Sequence, residues 1–287
     1  MERPLEMVKA KVIALAALTL LACSCQHEYA WQKFRMDGHR TGVRVPTADN
    51  VTEALGTVND SVYVAPNGKA FPLGSATYKA AADLIAVQPE MGSIKEVIAY
   101  APRAMVAEAP ESELSNWWVD RLMVEVAGAT KRKVDVGIAN FGGIRVDFPQ
   151  GDILVDDLVS MFPFKNYLTY VALKGSDLQA IFDYMAATRP QVLGGVKFVL
   201  TGHRIDTLLV GGKPIDPNRT YGVATIDFLL DGGDGLTVAK NAKELIVADK
   251  TVIDVMMPYV RGLGASGTPL EYKTDGRVVV NKEEDAQ

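Results

Sequence analysis

Both cysteines of this 287-residue chain stand near its start, at Cys23 and Cys25. Everything after them must therefore hold its shape through a hydrophobic core, with no disulfide and no thiolate-bound metal to help. A bond between the two is disfavoured as well, because a single-residue spacer rarely permits relaxed disulfide geometry. With 48% hydrophobic residues, the chain can bury one sizeable core, or one domain with a small appendage. Periodicity predicts helices over Ser75 to Ala86, Val155 to Met161, Ser176 to Ala186 and Val252 to Gly262, the last carrying Pro258. A further helix starts at the N-cap Ser112 with Glu113 in its first turn, buries Leu114, Trp117, Trp118, Leu122 and Val126, and stops at Gly128. At that spacing the tryptophans read as core residues. Strands are predicted at Val62 to Val64, Val97 to Ala101, Val134 to Ala139, Tyr167 to Leu173, Tyr221 to Thr225, Leu245 to Val247 and Val278 to Val280. Val196 to Thr201 and Ile205 to Val210 flank Gly202-His203 as a hairpin. Helices interleave with strands and hairpins, so the predicted class is α+β, with mixed sheets and packed helices.

Ahead of the cysteines, Arg3, Lys9 and Lys11 precede the apolar run Val12 to Ala22. That run is too short to span a bilayer and has the length of a signal-peptide core. Leu20-Leu21-Ala22-Cys23 is similar to a bacterial lipobox, whose cysteine is acylated after cleavage, and Ala22-Cys23-Ser24-Cys25 is a weaker second arrangement. The simpler alternative is a secretory signal with two incidental cysteines. The expected layout is a lipoprotein signal peptide over 1–22, lipidation at Cys23 (alternatively Cys25), and a tether and lead-in over 23–74. The main domain then covers 75–281, and a frayed charged tail 282–287. Such a chain would be exported and anchored on the periplasmic face or in the outer membrane. Its net charge of −5 offers no basic surface to DNA or RNA, so an anionic ligand would have to be met by local arginines.

Three motifs supply such local chemistry: Asn140-Phe141-Gly142-Gly143-Ile144-Arg145, Pro163-Phe164-Lys165-Asn166, and Phe228 to Gly235 with Asp231-Gly232-Gly233-Asp234 inside it. A glycine pair followed by an arginine lets backbone N–H groups and a guanidinium fork approach an anion, and two phenylalanines can sandwich a base. Asp234 would then take ribose hydroxyls. Each element has a plainer reading on its own. The glycines could form a tight turn, Arg145 could be a solvated charge, Phe164 and Phe228 could be core residues, and Asp234 could be a turn former.

Taken in order, these motifs resemble the C-terminal substrate-binding domain of the 5′-nucleotidase / UDP-sugar hydrolase family. The resemblance is strongest from Val97 to Leu236 and includes Gly211 to Asp216 ahead of Tyr221 to Thr225. It implies that Phe164 and Phe228 stack on the two faces of the base, that Asp234 binds the ribose hydroxyls and that Arg145 meets phosphate. Asn140 would give a polar contact near the base, and Asn166 takes the place of the asparagine in the family's Pro-Phe-Gly-Asn. Gly142, Gly143 and Gly233 complete the implied substrate-binding set. Three departures stand out. Phe141 replaces the first glycine of Asn-Gly-Gly-Gly-Ile-Arg, Lys165 replaces the glycine of the second motif, and Glu108 stands where many members place an arginine. A carboxylate there would repel a phosphate if it faced the site.

In family members, a separate N-terminal metallophosphoesterase domain cuts the substrate. Such two-metal chemistry needs clusters of the type Asp-x-His, Gly-Asn-His-Asp/Glu and Gly-His-x-His. This sequence has three histidines, His27, His39 and His203, without such partners. A Gly-x-Ser-x-Gly elbow, a Walker loop and a dinucleotide fingerprint are absent too. The expectation is a nucleotide-binding, substrate-specificity half of an exported 5′-nucleotidase, with no catalytic residue, metal or cofactor of its own. Divalent metals would belong to a metallophosphoesterase partner. The alternatives are a non-catalytic envelope lipoprotein that captures nucleosides or nucleotides, and a degenerate domain kept for envelope assembly.

Overall fold

The computed structural model describes residues 49–282. The signal peptide expected over 1–22, both cysteines, residues 23–48 of the lead-in and residues 283–287 of the tail lie outside them. The described part of the lead-in carries a short helix, α1 (Val51–Leu55), and a three-stranded antiparallel meander, β1 (Thr57–Val58), β2 (Val62–Val64) and β3 (Ala70–Pro72). Local side chains hold these pieces. The Asn59 carboxamide oxygen accepts from the backbone N–H groups of Ser61 and Val62, at 3.0 and 2.9 Å, and the Tyr63 hydroxyl donates to the Leu55 carbonyl at 2.8 Å.

Helix α2 (Ala76–Val87) starts at the N-cap Ser75, and β4 (Val97–Ala101) follows. Helix α3 (Glu113–Thr130) opens with a serine version of the capping box: the Ser112 hydroxyl accepts from Ser115 N–H at 3.3 Å, and the Ser115 hydroxyl accepts from Ser112 N–H at 2.9 Å. It runs through Gly128, where the sequence predicts a stop, and ends only when Lys131 turns left-handed at φ 57°. An exposed helical glycine costs about 0.5–1 kcal/mol against alanine. That is too little to end a helix whose last turn is fixed by buried Val126 and by the Thr130 hydroxyl donating to the Val126 carbonyl at 2.7 Å.

The remaining elements are β5 (Val136–Ala139), β6 (Gly151–Leu154), α4 (Val155–Met161), β7 (Tyr167–Lys174), α5 (Gly175–Ala187), β8 (Val192–Gly194), β9 (Val196–Thr201), β10 (Arg204–Val210), β11 (Lys213–Pro214), β12 (Thr220–Ile226), β13 (Glu244–Thr251), α6 (Val252–Ala265) and β14 (Val278–Asn281). The expected hairpin is β9–β10, paired antiparallel, with β14 added parallel to β9 and β11 on the outer edge. His203, in its turn, has Nδ1 2.8 Å from the Ala186 carbonyl at the end of α5, which gives it a structural role. The N-cap of α5 is Lys174, ahead of the predicted start at Ser176, and no side chain caps it. The helix is set by buried Leu178, Phe182, Met185 and Ala186 instead. Pro258 sits inside α6 without ending it.

A five-stranded mixed sheet in the order β13-β7-β12-β5-β8 organises the core. Its three middle strands are buried almost throughout, as expected of strands covered on both faces. Helix α3 packs on it through Leu114, Trp117, Trp118, Leu122 and Val126. Both tryptophans are core residues, at 2% and 3% exposure. The fold is α+β with mixed sheets. Strand β12 runs parallel to β5 and antiparallel to β7. The C-terminal ends of β5 and β12 and the N-terminal end of β7 therefore emerge at the same end of the sheet.

Candidate nucleotide-binding site

That topology gathers the three motifs, although they span nearly a hundred residues of chain. Asn140 directly follows β5, Phe164-Lys165-Asn166 directly precedes β7, and Asp227-Phe228 directly follows β12. The pairing Ile226↔Leu168 holds the second and third side by side.

Phe164 and Phe228 are 46% and 48% exposed. These values decide between core residue and surface platform, because each ring forgoes much of the roughly 1.5–3 kcal/mol that full burial would provide. The Arg145 guanidinium lies 5.8 Å from the Phe164 ring centroid, and its Nη1 donates to the Gly142 carbonyl at 3.2 Å. The arginine is exposed, so most of its donors stay available for an anion. Asn166, Phe164, Trp118, Phe162, Asn140 and Gly143 line a narrow recess at the sheet end.

Next to that recess stands Asp234, left-handed at φ 49° and exposed. Aspartate tolerates this conformation better than most residues. Its Oδ2 accepts from the Asn140 side-chain amide at 2.7 Å. Gly233, beside it, has no room for a side chain: a Cβ there would stand 2.0 Å from the Phe228 carbonyl oxygen. This glycine lets the Asp234 loop fold back against the Phe228 turn. All nine sequence-predicted site residues, Asn140, Gly142, Gly143, Arg145, Phe164, Asn166, Phe228, Gly233 and Asp234, thus lie on loops at this one end of the sheet.

Two residues near the site carry roles that the sequence left unread. The Asp227 carboxylate accepts from the Tyr167 backbone N–H at 2.9 Å and from Phe228 N–H at 3.0 Å, which ties the two phenylalanine loops together. The signal available was an aspartate at the start of a turn, where such bonds are common. Gln191 is 3% exposed, and its Oε1 accepts from Phe141 N–H at 3.3 Å, bracing the first motif. Glu108 donates its backbone N–H to the Ser112 hydroxyl at 3.0 Å, at the start of α3. Among the described residues, no three histidine, cysteine, aspartate or glutamate side chains gather into a cluster that could hold a metal ion. The arrangement can stack, hydrogen-bond and neutralise a ligand.

Residues 90–241 match the family described as 5′-nucleotidase, C-terminal domain. An apyrase from Tabanus yao is 30% identical over 195 residues, covering 58% of this chain and 34% of that protein. Protein UshA from Yersinia enterocolitica is 33% identical over 117 residues, covering 39% of this chain and 20% of that protein. Among solved structures, the 5′-nucleotidase precursor from Thermus thermophilus is similar with a TM-score of 0.63 at 26% identity, covering 75% of this chain and 47% of that one. The chain spans 34% and 20% of the lengths of the two relatives.

Proposed function

The chain belongs to the 5′-nucleotidase C-terminal domain family, and from that membership we propose that it is the nucleotide-binding half of an exported 5′-nucleotidase. In this reading Phe164 and Phe228 stack on the base, and Asn140 and Asn166 line the recess beside it. Asp234 takes the ribose hydroxyls, and Arg145 meets the phosphate with Gly142 and Gly143 clearing its approach. The metals and the attacking water come from a metallophosphoesterase partner. The observation that carries the proposal is the pair of half-exposed phenylalanines at one sheet end, with an exposed guanidinium and an exposed carboxylate beside them.

Base–aromatic stacking is worth about 1–3 kcal/mol per base, and about 1.4 kcal/mol is a factor of ten. Phe164→Ala and Phe228→Ala are each expected to weaken AMP binding by about tenfold or more, measured by calorimetry on the full chain, with the melting temperature unchanged. Loss of thermal stability with intact affinity in both variants would make them packing residues and end the clamp reading. Binding of AMP without any partner-dependent turnover would favour a capture protein over a split enzyme.

Export by lipid anchor is part of the same proposal and is supported by Leu20-Leu21-Ala22-Cys23. Acylation at Cys23 would place the mature protein in the membrane fraction. Cys23→Ser is expected to release it or to leave the precursor uncleaved, as judged by fractionation and lipid labelling. Undiminished labelling of that variant would move the anchor to Cys25.

A further inference from the structure

Asn140 is 4% exposed, and one N–H of its side-chain amide is already committed to Asp234 Oδ2 at 2.7 Å. The partners lie on different loops, one after β5 and one beyond β12, so this bond joins two of the three motifs. The neighbouring glycines are shaped around it. A Cβ on Gly143 would stand 2.7 Å from Asn140 Oδ1, and one on Gly142 would stand 3.4 Å from Asn140 Nδ2 and 3.5 Å from Asp234 Oδ2. A side chain at position 143 would thus push the amide off the carboxylate. Asp234 needs such support, because it is exposed on a loop whose backbone is left-handed at Gly232, Asp234 and Gly235. An exposed carboxylate otherwise samples several rotamers, and fixing one of them costs conformational entropy on binding.

We propose that Asn140 is a positioning residue for ribose recognition: it acts on the ligand by holding the Asp234 carboxylate, and makes no direct contact with the base, in contrast to the role that the family resemblance implies. The inference rests on the reading of Asp234 as the holder of the ribose hydroxyls. With Oδ2 held by the buried amide, the carboxylate is fixed in one rotamer and Oδ1 is left to accept from a sugar hydroxyl before the ligand arrives. The device selects ribose over sugars that lack these hydroxyls.

The test compares AMP with 2′,3′-dideoxy-AMP, which keeps the base and phosphate and removes both hydroxyls, using calorimetry on the full chain. Wild type is expected to prefer AMP by about tenfold, in line with a charge-assisted hydrogen bond. Asp234→Ala is expected to abolish that preference. Asn140→Ala is expected to reduce it severalfold while leaving affinity for the dideoxy compound unchanged, and to add nothing in the Asp234→Ala background. Gly143→Ala is expected to reproduce the Asn140→Ala result. If Asn140→Ala does not fold, the near-isosteric Asn140→Asp removes the donor while keeping the shape, and is expected to lose the ribose preference at neutral pH. Equal weakening of both ligands by either variant, or full additivity with Asp234→Ala, would show a direct base contact and overturn the inference. A wild-type preference that survives Asp234→Ala would instead remove the reading of Asp234 itself, and a chain that binds neither ligand would remove the clamp.

Discussion

Replacing Arg277 with methionine is expected to lower the free energy of unfolding by about 3 kcal/mol, seen as a lower denaturation midpoint at unchanged slope. Arg277 is 8% exposed. Its two Nη groups fork onto Asp120 of α3 at 2.6 and 2.9 Å, while Nε and Nη2 reach Asp275 at 2.9 and 2.8 Å. Burial works against its charge, but the hydrogen bonds to Asp275 and Asp120 outweigh that, and the guanidinium is held more firmly protonated than a free arginine. Burial, reinforced by the bond to Asp120, pushes the neighbouring Tyr272 hydroxyl up to about 12. Without the arginine, two carboxylates face each other beside that tyrosine. Removing one partner of a fully buried pair costs about 3–5 kcal/mol. Side-chain exposures of 28% for Asp120 and 51% for Asp275 place this case at the lower end.

The network also has an acid signature. The hydrogen bond from Arg277 holds the Asp275 carboxyl below the usual carboxylate range. A depressed folded value stabilises at pH above the ordinary carboxylate value of about 3.9, and that contribution fades as pH falls through the lower folded value. The gap between wild type and Arg277→Met should therefore narrow below about pH 4. A gap that widens in acid, or a midpoint shift worth less than about 1 kcal/mol at neutral pH, would mean that the fork is ornamental.

The same region shows what the sequence could and could not disclose. The job of Glu111, just ahead of the Ser112 N-cap, was not legible. Glu111 Oε1 accepts from the backbone N–H groups of Asp275 and Gly276 and from the Asn116 amide, which clips the chain ahead of β14 to the start of α3. The first two of those partners lie 164 and 165 residues away from Glu111, and no local pattern encodes them. Long apolar elements such as α3 and β7 were readable from their periodicity, because their own burial sets it. The short strands β1, β3, β6, β8 and β11 were not, since they lack the unbroken run of β-branched and aromatic residues that marks β2 and β14 and become strands only through their neighbours. The three ligand motifs could be read as chemistry. That β12 runs parallel to β5, which brings those motifs together, could not. Nor could the exposure of Phe164 and Phe228, on which the choice between packing and stacking turns.

Incubated alone with AMP and Mn²⁺, Zn²⁺ or Mg²⁺, the purified chain is expected to release no phosphate above background, and a cognate metallophosphoesterase is expected to bring turnover with it. Two ions at bridging distance are needed to activate water and stabilise the leaving oxygen. The three histidines of this sequence are scattered, and His203 is placed against the Ala186 carbonyl. The contribution of this chain would be to fix the substrate's base, ribose and phosphate so that a partner's metals meet the scissile bond in line. Misplacement by about 1 Å can cost roughly 10²-fold in rate. Arg145→Ala and Asp234→Ala should therefore each lower the reconstituted turnover of AMP by up to about that factor, and Asp234→Ala should leave hydrolysis of a small phosphate ester without base or sugar unchanged, since that ester offers Asp234 no hydroxyls to hold. Co-purification of each variant with the partner separates substrate positioning from assembly, because a variant that merely failed to join the partner would not be retained by it. Metal-dependent hydrolysis by the isolated chain, surviving further purification and abolished by one substitution within it, would overturn the split arrangement and place the chemistry in this protein.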